Sequence, residues 1–433
     1  MANLRIAPAT RPLQGVIPIP ADKSISHRAV ILSALSEGAA RIDNFLASET
    51  TSATVSCLRA LGVEIEPAGA DALCVQGRGL HGLREPDNVL FCLGSGTTIR
   101  LLAGLVAGQD FLSVLDGTPA LKRRPMGRVL DPLRAMGATV LGRNGDRLPP
   151  LAIRGARPLH GITYTLPVAS AQVKSALLLA GLYADSPVML GEPGPSRDHT
   201  ERMLSAMGVR VESSAPGMVC LTPPERLAAR DLTIPNDFSS AAFFLVAALI
   251  LRGSAIRMPH VGLNATRTGL AVVVAAMGAE IRVENEGEVC GEPVGDILVG
   301  NGHDLRGTEI AGGLIPRMID EFPILAVAAT QAHGETRVRD AAELRVKESD
   351  RIATLTGELR KMGAQIEPYA DGFTIVGPTR LQGAPVRSHG DHRLAMSLAV
   401  AALIAQGETT IEGWECVADS FPGFDTLLAG VQA

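Results

Sequence analysis

Leu58-Arg59-Ala60-Leu61-Gly62-Val63-Glu64-Ile65 decides how this chain is read, because it has four relatives further along. They are Leu133-Arg134-Ala135-Met136-Gly137-Ala138-Thr139-Val140, Leu204-Ser205-Ala206-Met207-Gly208-Val209-Arg210-Val211, Ala275-Ala276-Met277-Gly278-Ala279-Glu280-Ile281 and Arg360-Lys361-Met362-Gly363-Ala364-Gln365-Ile366. Each copy reads as the end of an amphipathic helix, a glycine suited to the left-handed position just past it, and an alternating strand. A turn and a second strand follow, as in Ala72-Leu73-Cys74-Val75 or Phe373-Thr374-Ile375-Val376. The period, 70 to 85 residues between successive glycines, is longer than that of solenoid repeats. Five matched tracts are too many for coincidental turn glycines.

Working outward, Leu-x-Gly recurs after the second strand: Leu80-His81-Gly82, Leu159-His160-Gly161, Leu305-Arg306-Gly307 and Leu381-Gln382-Gly383. Leu13-Gln14-Gly15 belongs to the same series but has no helix–glycine half before it. A split unit is therefore expected, with the helix around Phe424 to Gly430 supplying the missing half. Five visible units and one split unit make six βαβαββ-like units, which predicts an α/β (α+β) chain of two domains with three units each. The chain is expected to leave one domain near residues 18–20 and to return at Pro235-Asn236-Asp237-Phe238. One domain would then span residues 21–235 and the other residues 1–20 plus 236–433. A cleft between them would be a natural place for a small-molecule site.

Composition limits the rest. At 433 residues the chain exceeds one ordinary core, and its apolar fraction of 46% with only 3% aromatics leaves aliphatic side chains to fill two. A net charge of −5 gives no general attraction for nucleic acid or anionic membrane, so any basic site must be local. The six cysteines (57, 74, 92, 220, 290, 416) lack any Cys-x-x-Cys pair, which points to reduced thiols in a cytosol and away from zinc. The start has no apolar targeting core, and the longest apolar run, residues 241–251, is too short to cross a bilayer. A soluble cytoplasmic protein is expected.

Local basic sites do occur. Pro18-Ile19-Pro20-Ala21-Asp22-Lys23-Ser24-Ile25-Ser26-His27-Arg28 leads an extended segment into a helix. Asp22 or Ser24 can cap it, and free backbone N–H groups with Lys23, Ser24 and Arg28 then favour an anion. Leu93-Gly94-Ser95-Gly96-Thr97-Thr98-Ile99-Arg100 reads as a small-residue loop ahead of a helix from Leu101 to Val106, with no P-loop pattern and hence no nucleotide signal. Lys122-Arg123-Arg124-Pro125-Met126-Gly127-Arg128 gathers four cations, and Ser170-Ala171-Gln172-Val173-Lys174-Ser175 and Ser196-Arg197-Asp198-His199-Thr200 each open a helix. In the second half, Met318-Ile319-Asp320-Glu321-Phe322-Pro323 sets two carboxylates in an apolar run, a candidate acid/base pair. Leu344-Arg345-Val346-Lys347-Glu348-Ser349-Asp350-Arg351 and His389-Gly390-Asp391-His392-Arg393 complete the set; the spacing of the latter fits no common zinc pattern, and no metal is expected.

These motifs, in this order from about Gly15 to Pro422, resemble the 5-enolpyruvylshikimate-3-phosphate synthase family. The resemblance implies an inside-out, barrel-like arrangement in each domain, with helices packed inside three βαβαββ units. It implies transfer of the enolpyruvyl group of phosphoenolpyruvate to the 5-hydroxyl of shikimate 3-phosphate, releasing phosphate, as a step toward chorismate and the aromatic amino acids. By similarity, Lys23, Gly96, Arg124, Gln172, Arg351 and Arg393 would hold phosphoenolpyruvate. Lys23, Ser24, Arg28, Ser170, Ala171, Gln172, Arg197, Asp320 and Lys347 would hold shikimate 3-phosphate. Asp320 would take the hydroxyl proton, and Lys23 or Glu348 would protonate the methylene carbon. The family implies no metal or organic cofactor, and a monomer without nucleic-acid or membrane partners is expected.

The chain also departs from the family pattern. Gly94 stands where the phosphoenolpyruvate loop usually carries Asn, and Asp419 lies near Phe421-Pro422 where one branch has a lysine. Ser170-Ala171-Gln172 with Ser-Arg-Asp-His-Thr-Glu resembles the second sequence class, which is linked with tolerance of glyphosate; Gly96 leaves room for that inhibitor, so partial sensitivity is expected. Three other readings are weaker. An enolpyruvyl transferase acting on a UDP-amino sugar would need a reactive Cys or Asp in the loop at 122–128, which has none. An RNA 3′-phosphate cyclase could use His392 but suits neither the net charge nor the few aromatics. A cleft-binding protein without chemistry rests only on Gly94 and Asp419.

Overall fold

The structure, a computed structural model, describes residues 2–215, 217–300 and 304–431. Its contacts divide the chain into two units. One comprises Ala21–Pro235 with Glu288–Glu292; the other comprises Met1–Pro20, Asn236–Gly287 and Pro293–Ala433. The repeat pattern alone puts all of 236–433 in one domain, and the five residues Glu288–Glu292 depart from that. Their attachments explain it: Glu292 accepts from His199 Nδ1 at 2.7 Å, the Gly291 carbonyl accepts from Arg202 at 2.9 Å, and the Cys290 thiol lies 3.3 Å from the Thr233 N–H.

The unit built on residues 21–235 holds three four-stranded sheets of one topology. Leu232–Thr233, Glu37–Asp43, Leu73–Arg78 and Glu64–Pro67 lie in that order, with the first pair parallel and the others antiparallel. The same pattern recurs in Leu90–Phe91, Leu112–Asp116, Leu148–Arg154 and Thr139–Gly142, and again in Thr163–Thr165, Val188–Gly191, Met218–Leu221 and Val211–Ala215. The helices that matter below are α1 (Lys23–Ala34), α2 (Glu49–Ala60), α3 (Gly96–Ala107), α4 (Ala171–Gly181) and α5 (His199–Ala206). Helix α1 is buried from Ile25 onward, α3 from Thr98 and α4 from Val173. Helices apolar on every face belong inside a core, and the alternating strands close over them with one face to water. No closed barrel forms among the described residues; each sheet stays separate.

The other unit repeats the plan with α6 (Phe238–Ile250), α7 (Phe322–Thr330), α8 (Arg351–Lys361) and α9 (His392–Ala402), largely buried except for one face of α8. Its first sheet takes Gln14–Val16, parallel to Ala255–Gly262, from far up the chain. Its last sheet joins Pro385–Arg387, Thr409–Glu412 and Asn3–Ile6, the final pair antiparallel, and the helix Phe424–Gly430 follows.

The quoted repeat is a helix cap. At Gly62, φ is +87°, the Gly62 N–H bonds the Arg59 carbonyl at 2.9 Å, and the Val63 N–H reaches back to Leu58 at 3.1 Å. This double bond set ends a helix and needs a left-handed residue. Gly137, Gly208, Gly278 and Gly363 repeat it, each with positive φ. In three copies an arginine three residues earlier (Arg59, Arg134, Arg360) also donates to a carbonyl of the strand that follows. Four of the Leu-x-Gly glycines serve close approach instead: a Cβ on Gly307 would stand 2.2 Å from the Glu335 carbonyl oxygen, and one on Gly383 2.4 Å from that of Glu408, with Gly82 and Gly161 alike, whereas Gly15 has open space and a positive φ.

Candidate active site

In the 21–235 unit the start of α1 is fixed by Asp22, whose carboxylate accepts from the Ile25 N–H at 2.8 Å. That choice leaves Lys23 and Ser24 in the first turn, where the backbone N–H groups have no helical partner. Arg28, one turn on, is buried and donates at 2.8 Å to three groups: the Thr200 hydroxyl, the Ser175 hydroxyl and the Ser24 carbonyl. Burial presses its pKa down to about 10, against the pull of Glu201 and Asp22. Arg28 thus gathers α1, α4 and α5 around one guanidinium. Arg197, just ahead of α5, is near enough for its charge to act on Arg28.

Helix α3 begins earlier than the sequence suggests. Ser95 caps it by accepting from the Thr98 N–H at 3.1 Å, so Gly96 is its first residue and only the residues before it form the loop. A Cβ on Gly96 would lie 2.6 Å from an Arg100 nitrogen and 2.7 Å from one of Arg124. Arg100 donates to Gln172 Oε1 at 2.7 Å, and Gln172 Nε2 donates to the Thr97 hydroxyl at 2.9 Å. Gly96, Arg124 and Gln172, picked out in the sequence, therefore converge. Arg100, in the sequence only the last residue of the small-residue loop, joins them because it stands one helical turn after Gly96 and faces the same way. Lys122 is turned to Asp116 at 2.8 Å.

Ser170 precedes α4 and makes no side-chain cap bond; Ala171 and Gln172 form the first turn. Lys174, which in the sequence is one cation of a helix-opening motif, is buried and bonds Glu192 at 2.7 Å and Glu201 at 2.6 Å. A lysine between Val173 and Ser175 gives no sign in the sequence of which carboxylates it will meet. A cavity of about 770 Å³ in this unit is lined by Lys174, Glu192, Glu201, Arg202 and Arg230 among others. Among the described residues one group has metal-ligand chemistry, Asp198, His199 and Glu292, with ligand atoms within 4.8 Å. Arg202 donates to Asp198 at 2.8 Å and His199 Nδ1 to Glu292 at 2.7 Å, while the buried His199 Nε2 has no hydrogen-bond partner.

The second cluster lies wholly in the other unit. Arg351 opens α8 with 1% of its surface exposed. Its Nε donates to Asp391 at 2.8 Å, Nη1 to Asp320 at 3.1 Å and Nη2 to Glu348 at 2.7 Å. Burial opposes its charge, but Asp391, Glu348 and Asp320 outweigh that and drive its pKa above the ordinary arginine value. Arg393 approaches Asp320 at 3.5 Å and Glu321 at 3.9 Å. Lys347 has its pKa lowered by burial, with Asp320 opposing most. The sequence candidates Asp320, Lys347, Glu348, Arg351 and Arg393 are thus brought together. Of the paired carboxylates, Glu321 is the buried one and accepts from the Ser239 hydroxyl, while Asp320 keeps an accessible edge between two guanidiniums. Asp391, set aside as a poor metal ligand, caps α9 and anchors Arg351.

Comparison with known proteins agrees with this chemistry. The family model for EPSP synthase (3-phosphoshikimate 1-carboxyvinyltransferase) matches residues 8–428. The 3-phosphoshikimate 1-carboxyvinyltransferase of Desulforudis audaxviator is 54% identical over 98% of both chains, and that of Thermodesulfovibrio yellowstonii is 50% identical over 99% of both. The solved EPSP synthase of Acinetobacter baumannii superposes with a TM-score of 0.90 at 41% identity, covering 100% of this chain and 98% of that one. With a family model over nearly its whole length and relatives at half identity, the chain belongs to the EPSP synthase family.

Proposed function

We infer that this protein transfers the enolpyruvyl group of phosphoenolpyruvate to shikimate 3-phosphate. Membership of the family supports the reaction, and one observation carries the residue roles: the Asp320 carboxylate sits beside two guanidiniums, 3.1 Å from Arg351 and 3.5 Å from Arg393. Both substrates bear a carboxylate and a phosphate, and a protein of net charge −5 needs such local cations to hold them. Lys23, Gly96, Arg124, Gln172, Arg351 and Arg393 are assigned to phosphoenolpyruvate. Lys23, Ser24, Arg28, Ser170, Ala171, Gln172, Arg197, Asp320 and Lys347 are assigned to shikimate 3-phosphate. Arg28 acts chiefly by holding the first turn of α1, since three of its N–H groups already serve Thr200, Ser175 and Ser24.

Addition forms a bond from the 5-hydroxyl oxygen to the central carbon of phosphoenolpyruvate. Asp320 takes the hydroxyl proton while Lys23 or Glu348 protonates the methylene carbon, which becomes a methyl group. Elimination then removes a proton from that methyl group, breaks the carbon–oxygen bond to phosphate and leaves the enolpyruvyl ether. Fixed cations around the departing phosphate stabilise its charge without reorganising. The expected working form is a cytoplasmic monomer.

Phosphate release tests this. It should occur with phosphoenolpyruvate plus shikimate 3-phosphate and not with a UDP-amino sugar as acceptor. Asp320→Asn should cut kcat by about 10²–10⁴-fold, the range of a lost general base. Lys23→Met and Glu348→Gln, followed by exchange of solvent deuterium into the phosphoenolpyruvate methylene, separate the two carbon acids. Undiminished turnover in Asp320→Asn would sink the assignment of the base.

A further inference from the structure

Behind the start of α3 lies a chain of polar groups that the proposed mechanism does not use. His27 Nδ1 lies 2.7 Å from the Thr54 hydroxyl, Thr54 lies 2.7 Å from the Thr98 hydroxyl, and Thr98 donates to Ser95 Oγ at 2.7 Å. The chain runs from α1 through α2 to α3, and Ser95 is the residue whose side chain caps α3. It is sealed from solvent: His27 is 1% exposed, Thr54 and Thr98 0%, and Ser95 3%. Proton counting gives it a direction. A hydroxyl has one hydrogen. Thr98 spends its own on Ser95 at 2.7 Å in preference to the Thr50 carbonyl at 3.4 Å, so Thr54 donates to Thr98, and His27 Nδ1 carries a hydrogen for Thr54.

We propose that His27, Thr54 and Thr98 form a one-way hydrogen-bond relay that positions Ser95, and through it the first turn of α3, for phosphoenolpyruvate. The proposal rests on the assignment of that turn to phosphoenolpyruvate through Gly96. His27 is a positioning residue here: it stands one residue before Arg28 on α1 and ties the second turn of α1 to the first turn of α3. The relay keeps two anion-facing helix starts in register although different repeat units supply them. A neutral imidazole suits this task, because a charged one could not remain among Lys23 and Arg28, and burial holds His27 uncharged with its pKa down to about 3. Apolar residues would fill the same space but could not satisfy the Ser95 acceptor or fix its orientation.

The test is Thr54→Val, which keeps the shape and removes the hydroxyl, with Thr54→Ser as the conservative partner. The KM for phosphoenolpyruvate should rise roughly tenfold in Thr54→Val, the scale of one broken buried hydrogen bond. The KM for shikimate 3-phosphate and kcat should stay where they are, and Thr54→Ser should restore the wild-type value. In the unsubstituted enzyme, nitrogen-15 shifts should show His27 as the Nδ1–H tautomer throughout the neutral range. An Nε2–H tautomer overturns the relay, whether or not the variants fold. So does a Thr54→Val enzyme in which both KM values rise together with a lowered melting point, since that is a purely structural effect. Gly96→Ala separates the layers. If it raises the phosphoenolpyruvate KM while Thr54→Val does not, the relay fails and the site assignment stands. If neither variant moves that KM, the site assignment itself fails and takes the relay with it.

Discussion

A side chain at Gly96 fits only if two guanidiniums move, since a Cβ would meet Arg100 and Arg124 nitrogens at 2.6 and 2.7 Å. Gly96→Ala should therefore displace both guanidiniums and raise the phosphoenolpyruvate KM by about tenfold or more, the usual cost of overpacking. Inhibition by glyphosate should weaken in parallel; equal inhibition of both proteins would contradict the view that Gly96 provides its space. His27 makes a pH prediction. Burial, then Lys23 and Arg28, depress its pKa from 6.5 to about 3, while Asp22 resists. Below pH 6.5 the unfolded chain binds a proton that the folded one refuses, so stability is full above 6.5 and is lost as pH falls toward 3. That loss has a limiting slope of about 1.4 kcal/mol per pH unit, and His27→Asn should flatten the acid limb of a denaturation series by that amount. Asp320 was legible because a carboxylate in an apolar run stands out, and Arg351 and Arg393 because each sits in a dense cluster of charges. Lys174 and Arg100 were not, since only the fold shows which charges a buried lysine meets or which way an arginine one turn into a helix points.

Among the elements, helix ends were easier to read than helix starts. A left-handed glycine leaves one letter at a fixed place, so the ends before Gly62, Gly137, Gly208, Gly278 and Gly363 were visible in the sequence. The start of α3 was not, because Ser95, Gly96 and Thr97 suit a loop as well as a capped first turn. The two kinds of repeat glycine should differ in cost. At Gly208 a Cβ meets nothing within 4 Å, but φ is +87°, so Gly208→Ala should lose about 1–2 kcal/mol from backbone strain alone. At Gly307 the Cβ would press on the Glu335 carbonyl at 2.2 Å, and strand and turn would have to separate. Gly307→Ala should lose more, and urea unfolding of both variants gives the comparison. Equal losses would mean that the Leu-x-Gly turn yields more easily than its geometry implies.

For the molecule as a whole, each unit has a hydrophobic core that shares no residue with the other. Repeat counting made the six-unit plan visible, whereas the attachment of Glu288–Glu292 was hidden because a hairpin tip carries no periodic signal. Residues 21–235 expressed alone should melt cooperatively, with amides around His199 exchanging faster than in the full chain because Glu292 is missing. A broad, non-cooperative melt would show that this core cannot stand by itself. Finally, Asn3–Ile6 pairs with Thr409–Glu412, and the Ala2 amide bonds Glu415, 413 residues away. At a ribosomal pace of about 5–20 residues per second, that first strand waits roughly 20–80 seconds for its neighbour to be made. Residues 21–235 emerge in one stretch and can fold meanwhile, while an unpaired strand edge stays open to other chains. In the cell, chaperones that hold nascent chains should engage this protein through that waiting strand and release it only once the last sheet closes.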